Sequence, residues 1–147
     1  MAPIIFAKSI LNGQPINVFN YGRMKRDFTY IDDIIEGVYR CCYKPAYIDN
    51  SFNDLNPNQS TSFAPFRIFN IGNSDPIELL KFIEVLENEL GVKSIKNFLP
   101  MQPGDVESTS AKTNLLENWV NFKPSTSIEI GVHESAKWYL NYYKNNN

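Results

Sequence analysis

GRMKRDFTYIDD, residues 22–33, is the stretch on which the reading of this chain turns. Arg26 stands directly ahead of an alternating run, Phe28-Thr29-Tyr30-Ile31, and the acids Asp32 and Asp33 follow where a helix would open. The segment therefore reads as a turn over 20–25, a strand over 27–31 and a helix over 33–43. An arginine at the mouth of a strand is suited to clamp phosphate. Its guanidinium is planar and permanently charged, and it can grip two oxygens of a diphosphate at once.

Working upstream, residues 3–11 read as a helix with Ile4, Ile5, Ala7, Lys8 and Leu11 as its stripe, and Gly13 stops it. Residues 15–19, PINVF, read as a short strand. Downstream, Ile34, Ile35, Val38 and Cys42 recur at helical spacing until Pro45 ends the run. Residues 46–65 turn to asparagine, serine, aspartate and proline without a period, which marks a surface loop. FRIFNI, 66–71, alternates as a strand before the turn Gly72-Asn73-Ser74. Asp75-Pro76-Ile77-Glu78 then has the form of a helix start, with a capping acid, proline at the first position and glutamate at the third. That helix should reach about Leu90 and close at Gly91. A strand over 95–99, an irregular stretch over 100–110 and a short helix over 113–120 come next. The last helix should start near Thr126, with Glu129 completing a second capping box, and run to Tyr143 with Ile128, Val132, Ala136 and Tyr139 on one face. Residues 144–147 should fray. The class is α/β, and residues 1–147 make a single partial domain.

With 147 residues the chain can bury about two-thirds of its unfolded surface. A net charge of -2 and a pI near 5.4 exclude the basic face of a nucleic-acid binder. Arg23, Lys25 and Arg26 form the one basic cluster, too small for a duplex and sufficient for one diphosphate. No apolar run approaches the roughly 20 residues needed to cross a bilayer, and the first residues are not a signal peptide. Cys41 and Cys42 are adjacent on a predicted helix, where neighbouring side chains diverge, so they read as reduced packing residues of a cytoplasmic protein. His133 is the single histidine, and with no spaced cysteines there is no metal-ligand set. It reads as solvated, and Trp138, Tyr139, Tyr142 and Tyr143 read as core or subunit contact.

GRMKRDFTYIDD, FNIGNSDPIELL (69–80) and LPMQPGDVESTSA (99–111) occur in the order and rough spacing found in NAD-dependent nucleotide-sugar epimerases. The chain resembles the UDP-glucuronate 4-epimerase branch of the extended short-chain dehydrogenase/reductase family, and only its C-terminal part. The resemblance implies an α/β substrate-binding lobe lacking the Rossmann half with its glycine-rich loop. It implies a UDP-sugar as partner, NAD in the full-length family but none bound by this chain alone, and a separate Rossmann polypeptide or self-association to cover bared apolar surface.

Residue by residue, the resemblance puts Arg26 on the donor's diphosphate, the strand residues Asn17, Val18 and Phe19 beside the uracil, and Gln102 and Asp105 at the nucleotide ribose. A carboxylate accepting from adjacent ribose hydroxyls is chemically sensible. Glu107 and Lys112 depart from the family's usual apolar residue and aspartate. No catalytic residue is expected. The seven glycines are dispersed, so no phosphate-cradling loop can be built from them. Tyr21 and Lys25 have the spacing of the family's catalytic pair but lie in a turn, where they do not share a helix face. Three expectations stand: a substrate-binding part of an epimerase that is not catalytic alone, a non-catalytic nucleotide-sugar binding module, or a degenerate fragment without ligand.

Overall fold

The computed structural model describes residues 2–144; the expected fraying of 144–147 falls almost wholly outside them. Among the described residues five α-helices and four short strands follow the order α1 (Ala2–Leu11), β1 (Ile16–Val18), β2 (Lys25–Asp27), α2 (Ile31–Tyr43), β3 (Pro76–Glu78), α3 (Leu79–Leu90), β4 (Lys96–Phe98), α4 (Asn114–Val120) and α5 (Ile128–Lys144), with a short 3-10 turn over Phe19–Gly22. The strands make two pairs. β1 runs parallel to β4, with Ile16 opposite Lys96 and Val18 opposite Phe98, and β2 runs antiparallel to β3, with Arg26 opposite Ile77.

The chain divides into two compact units. The first comprises the chain up to Phe28, Asp75–Ser110 and the chain from Thr126 onward. One continuous apolar cluster forms it: Phe6, Ala7 and Ile10 of α1, Ile16 and Val18 of β1, Phe82, Ile83, Val85, Leu86 and Leu90 of α3, and Val132, Ala136 and Tyr139 of α5. The expected inner face of α5 is found. That of α1 is rotated: Ile5 is exposed, whereas Phe6 and Ile10 face the core. Their spacing of four residues is as regular as that of the expected stripe, and only the packing against α3 and α5 selects it. Gly91, at φ 68°, closes α3 as expected.

At the far end of α3 the Glu87 side chain is only 4% exposed, yet it is charged. Burial alone would raise its carboxyl, but Lys96, the Ser94 hydroxyl and backbone N–H, and Lys93 outweigh that and hold it at about 2. The anion thereby ties the end of α3 to the start of β4.

Three expected boundaries fail for one physical reason. Asp75-Pro76-Ile77-Glu78 does not cap a helix, because Pro76–Glu78 forms β3 against Lys25–Asp27 and α3 begins at Leu79. The Asp75 N–H donates to Asp27 Oδ1 at 3.4 Å, so this region is tied to β2. Arg26 lies within β2, not ahead of a strand over 27–31, and Ile31 already belongs to α2. FRIFNI forms no ladder among the described residues beyond the bridge of Arg67 with Thr61. A local pattern marks an extended or helical tendency, and a distant strand decides which backbone groups are satisfied. The last helix also begins slightly later than read, at Ile128, with Ser127 Oγ accepting from the Ile130 N–H at 3.4 Å.

The second unit, Thr29–Ser74 with Ala111–Ser125, packs α2 on α4. Gly37 is the buried contact of α2. A Cβ there would lie 2.5 Å from Ile71 Cδ1, with Leu116 and Phe122 just beyond. The expected stripe is therefore displaced: Ile35 and Val38 are each 57% exposed, and Cys42 is exposed too. Hydropathy cannot see a glycine chosen for closeness.

Polar and aromatic contacts hold the rest of this unit. Lys44 Nζ donates to the Trp119 carbonyl at 2.6 Å and lies over the Trp119 ring, whose Nε1–H donates to the Lys44 carbonyl at 3.0 Å. Arg67 sits over Tyr47 and Trp119, 5.2 and 5.4 Å from their ring centres. The 46–65 stretch is irregular and punctuated by turns in which Asp49, Asn53 and Asn58 accept from backbone N–H groups two residues on. No described helix is long and apolar enough to cross a membrane.

Candidate functional site

Residues 16–27 run beside residues 95–109 for most of their length, and that seam gathers the expected binding residues within the first unit. Above the β1–β4 ladder, the Leu99 N–H donates to the Val18 carbonyl at 3.0 Å and the Tyr21 N–H to the Leu99 carbonyl at 3.0 Å. Further along, the Lys25 N–H donates to the Glu107 carbonyl at 2.9 Å, the Thr109 N–H to the Lys25 carbonyl at 3.2 Å, and the Asp27 N–H to Thr109 Oγ1 at 3.4 Å. Between these contacts the chain makes two sharp bends. Asn20 and Tyr21 hold left-handed backbone, and Gly22 follows at φ 83° with Leu80 pressed where a Cβ would stand. On the other side Gly104, also at φ 83°, lies inside the turn that the Asp105 N–H closes on the Gln102 carbonyl.

Those bends bring Arg26 and Asp105 together although 79 residues separate them. Arg26 Nη2 donates to Asp105 Oδ1 at 2.8 Å, with both side chains about a quarter to a third exposed. Arg26 Nη1 donates to the Lys25 carbonyl at 2.9 Å and to the Glu107 carbonyl at 3.3 Å. Asp105 Oδ1 also accepts from the Val106 N–H at 2.8 Å. Three N–H groups of the guanidinium are thus engaged, and Nε–H and one Nη2–H are left for another acceptor.

The remaining expected residues divide by burial. Asn17 points outward from β1 and its Oδ1 accepts from Asn97 Nδ2 at 3.0 Å. Val18 is wholly buried in the apolar cluster, and its carbonyl accepts from the Leu99 N–H. Phe19 opens the turn after β1 and is half-buried, while Gln102 is exposed at the start of the Gly104 turn. Sequence reading missed the carbonyls of Lys25 and Glu107 and the Thr109 hydroxyl, all of which hold this seam. Backbone acceptors carry no residue signature, so nothing in the sequence could have pointed to the first two.

His133 is exposed as expected and has a partner, Glu89, at 2.7 Å. Trp138, Tyr142 and Tyr143 are exposed and pack on one another, while Tyr139 enters the core. Tyr21 lies in a left-handed turn and Lys25 in β2, so the two share no helix face. Among the described residues no group of three or more histidine, cysteine or acidic side chains could hold a metal ion. Gly13, Gly22, Gly91 and Gly104 hold positive φ at turns, and Gly37 makes a close helix contact.

Residues 3–72 match the NAD dependent epimerase/dehydratase family. Over 144 residues the chain is 44% identical to Protein CapI of Staphylococcus aureus, covering 98% of this chain and 43% of that protein. Over 145 residues it is 43% identical to a probable UDP-glucuronate 4-epimerase of Rhizobium meliloti, covering 98% of this chain and 42% of the relative. Among solved structures, UDP-glucuronic acid 4-epimerase from Bacillus cereus, in complex with UDP-glucuronic acid and NAD, superposes with a TM-score of 0.76 at 26% identity, over 97% of this chain and 40% of that one. The chain thus spans about two-fifths of the length of these relatives. Their common α/β fold and sequence make it a counterpart of the C-terminal part of the NAD-dependent epimerase/dehydratase family.

Proposed function

We propose that this chain is the substrate-binding part of a cytoplasmic UDP-sugar 4-epimerase acting on a UDP-glucuronate-like donor, and that it is not catalytic alone. The observation that carries this reading is the Arg26–Asp105 pair on the seam. It sets a guanidinium with free N–H donors next to a carboxylate whose Oδ1 is engaged and whose Oδ2 is available, which suits a diphosphate beside a ribose diol. Arg26 grips the diphosphate, Asp105 Oδ2 accepts from the ribose, Gln102 donates beside it, and Asn17 with Phe19 borders the base. Val18 supports these from the core. The relatives named for UDP-glucuronate 4-epimerisation support the choice of donor.

Cofactor chemistry belongs in this reading to a partner polypeptide carrying the dinucleotide fold. The bare apolar residues Ile31, Ile35 and Val38 of α2 support such a partner. Calorimetric titration of UDP and UDP-glucuronate into the chain and into Arg26→Ala tests the site. Binding that disappears in the variant is the expected result. Equal binding by both, or none by the unaltered chain, would reject a nucleotide site built on Arg26.

A further inference from the structure

A guanidinium on a flexible stem must be oriented before it can serve as a bidentate clamp, because each free torsion otherwise spreads its donors over many directions. Around Arg26 the acceptors lie on one end of the guanidinium. The Lys25 and Glu107 carbonyls take Nη1, and Asp105 Oδ1 takes Nη2. The Asp105 carboxylate is itself fixed, since the same oxygen accepts from the backbone N–H of Val106 and the residue closes the turn at Gly104. A chain of constraint therefore runs from the backbone at Gly104 through a carboxylate to the plane of Arg26.

We propose that Asp105 is a positioning residue for Arg26: it holds the guanidinium so that Nε–H and the remaining Nη2–H face the diphosphate of the ligand. This rests on the nucleotide reading above and adds to it a role that does not pass through the ribose. Pairing also offsets the charge of Arg26, so direction of donation, more than net charge, recommends this arginine to phosphate. A ribose contact and an orienting contact predict different losses. The first weakens only ligands that contain ribose, and the second weakens a phosphate group by itself.

The test uses the full chain labelled with nitrogen-15 in arginine, with Asp105→Ala and the near-isosteric Asp105→Asn. The expected result is slow, resolved Nη–H signals for Arg26 that average in Asp105→Ala and survive in part in Asp105→Asn. Inorganic pyrophosphate, which has no ribose, should bind Asp105→Ala roughly tenfold more weakly, the scale of one charge-assisted hydrogen bond, and uridine, whose ribose meets Asp105 Oδ2, should weaken too. Unchanged Arg26 signals in Asp105→Ala, or unchanged pyrophosphate affinity with weakened uridine binding, would overturn the positioning role and leave a ribose contact. UDP binding lost in Arg26→Ala but indifferent to Asp105→Ala would sink the positioning role, and the ribose contact of Asp105 with it, while leaving the phosphate site on Arg26. No binding of UDP or pyrophosphate to the unaltered chain would sink both.

Discussion

The first unit buries thirteen apolar side chains in one cluster, whereas the second turns on Gly37, Leu116 and a set of cation–aromatic contacts around Trp119. Their sequences do not differ in hydrophobic content in any obvious way. The second unit has Ile31, Ile35, Val38, Tyr39, Leu55 and Phe63, and leaves all of them exposed. What separates the two is how many apolar residues of distant segments are buried together. Burial of a Leu or Ile contributes about 1.5–3 kcal/mol, and an exposed cation–aromatic contact nearer 0.5–1, so the first unit should be the more resistant to opening.

Core truncation breaks the contrast most directly. Ile83→Ala, at a fully buried position of α3, should cost about 4 kcal/mol in chemical denaturation, and Leu116→Ala of α4 nearer 2, because its surroundings have fewer buried apolar neighbours and can collapse. Equal losses would mean that the second unit has a core as demanding as the first.

Acid should act next, and on the first unit. Glu87 is held at about 2 against an ordinary 4.5, a depressed value, so its contribution is complete above 4.5 and is lost as pH falls from there towards 2. That window is worth about 3 kcal/mol by linkage, and Glu87→Gln should flatten it. A urea-denaturation series between pH 6 and 2.5 measures the slope. A slope that persists in Glu87→Gln would assign it to other carboxylates.

The smallest effect sharpens the account of the second unit. Trp119→Leu removes the ring beneath Lys44 and Arg67 and the Nε1–H bond to the Lys44 carbonyl, and should cost about 1–2 kcal/mol. Amide exchange over 46–65 should quicken while that of α3 stays unchanged. Faster exchange in α3 as well would show the units opening together.

Much of this was legible beforehand, for reasons that can be stated. The inner face of α5 could be read because Val132, Ala136 and Tyr139 recur at helical spacing, and the end of α3 because Gly91 can take a left-handed conformation. The start of α3 could not. Pro76 and Glu78 satisfy every local rule for a helix entrance and yet pair with β2, some fifty residues earlier in the chain. The inner face of α2 was hidden because its contact is a glycine. In the candidate site, the chemistry of Arg26 and Asp105 was readable and their pairing was not, since the turn at Gly104 and the bends at Asn20 and Tyr21 that join them obey the packing of the whole seam.

By itself the sequence determined the α/β class and most of the helices, which depend on local periodicity and capping chemistry, and, through three short motifs, the likeness to nucleotide-sugar epimerases. Only the tertiary structure decided which helix faces are buried, that Arg26 lies within a strand, that Val18 is core, and that Arg26 is held by Asp105 and two carbonyls. Each of those depends on backbone groups and surfaces brought together from distant parts of the chain, and free energy of that kind has no local signature.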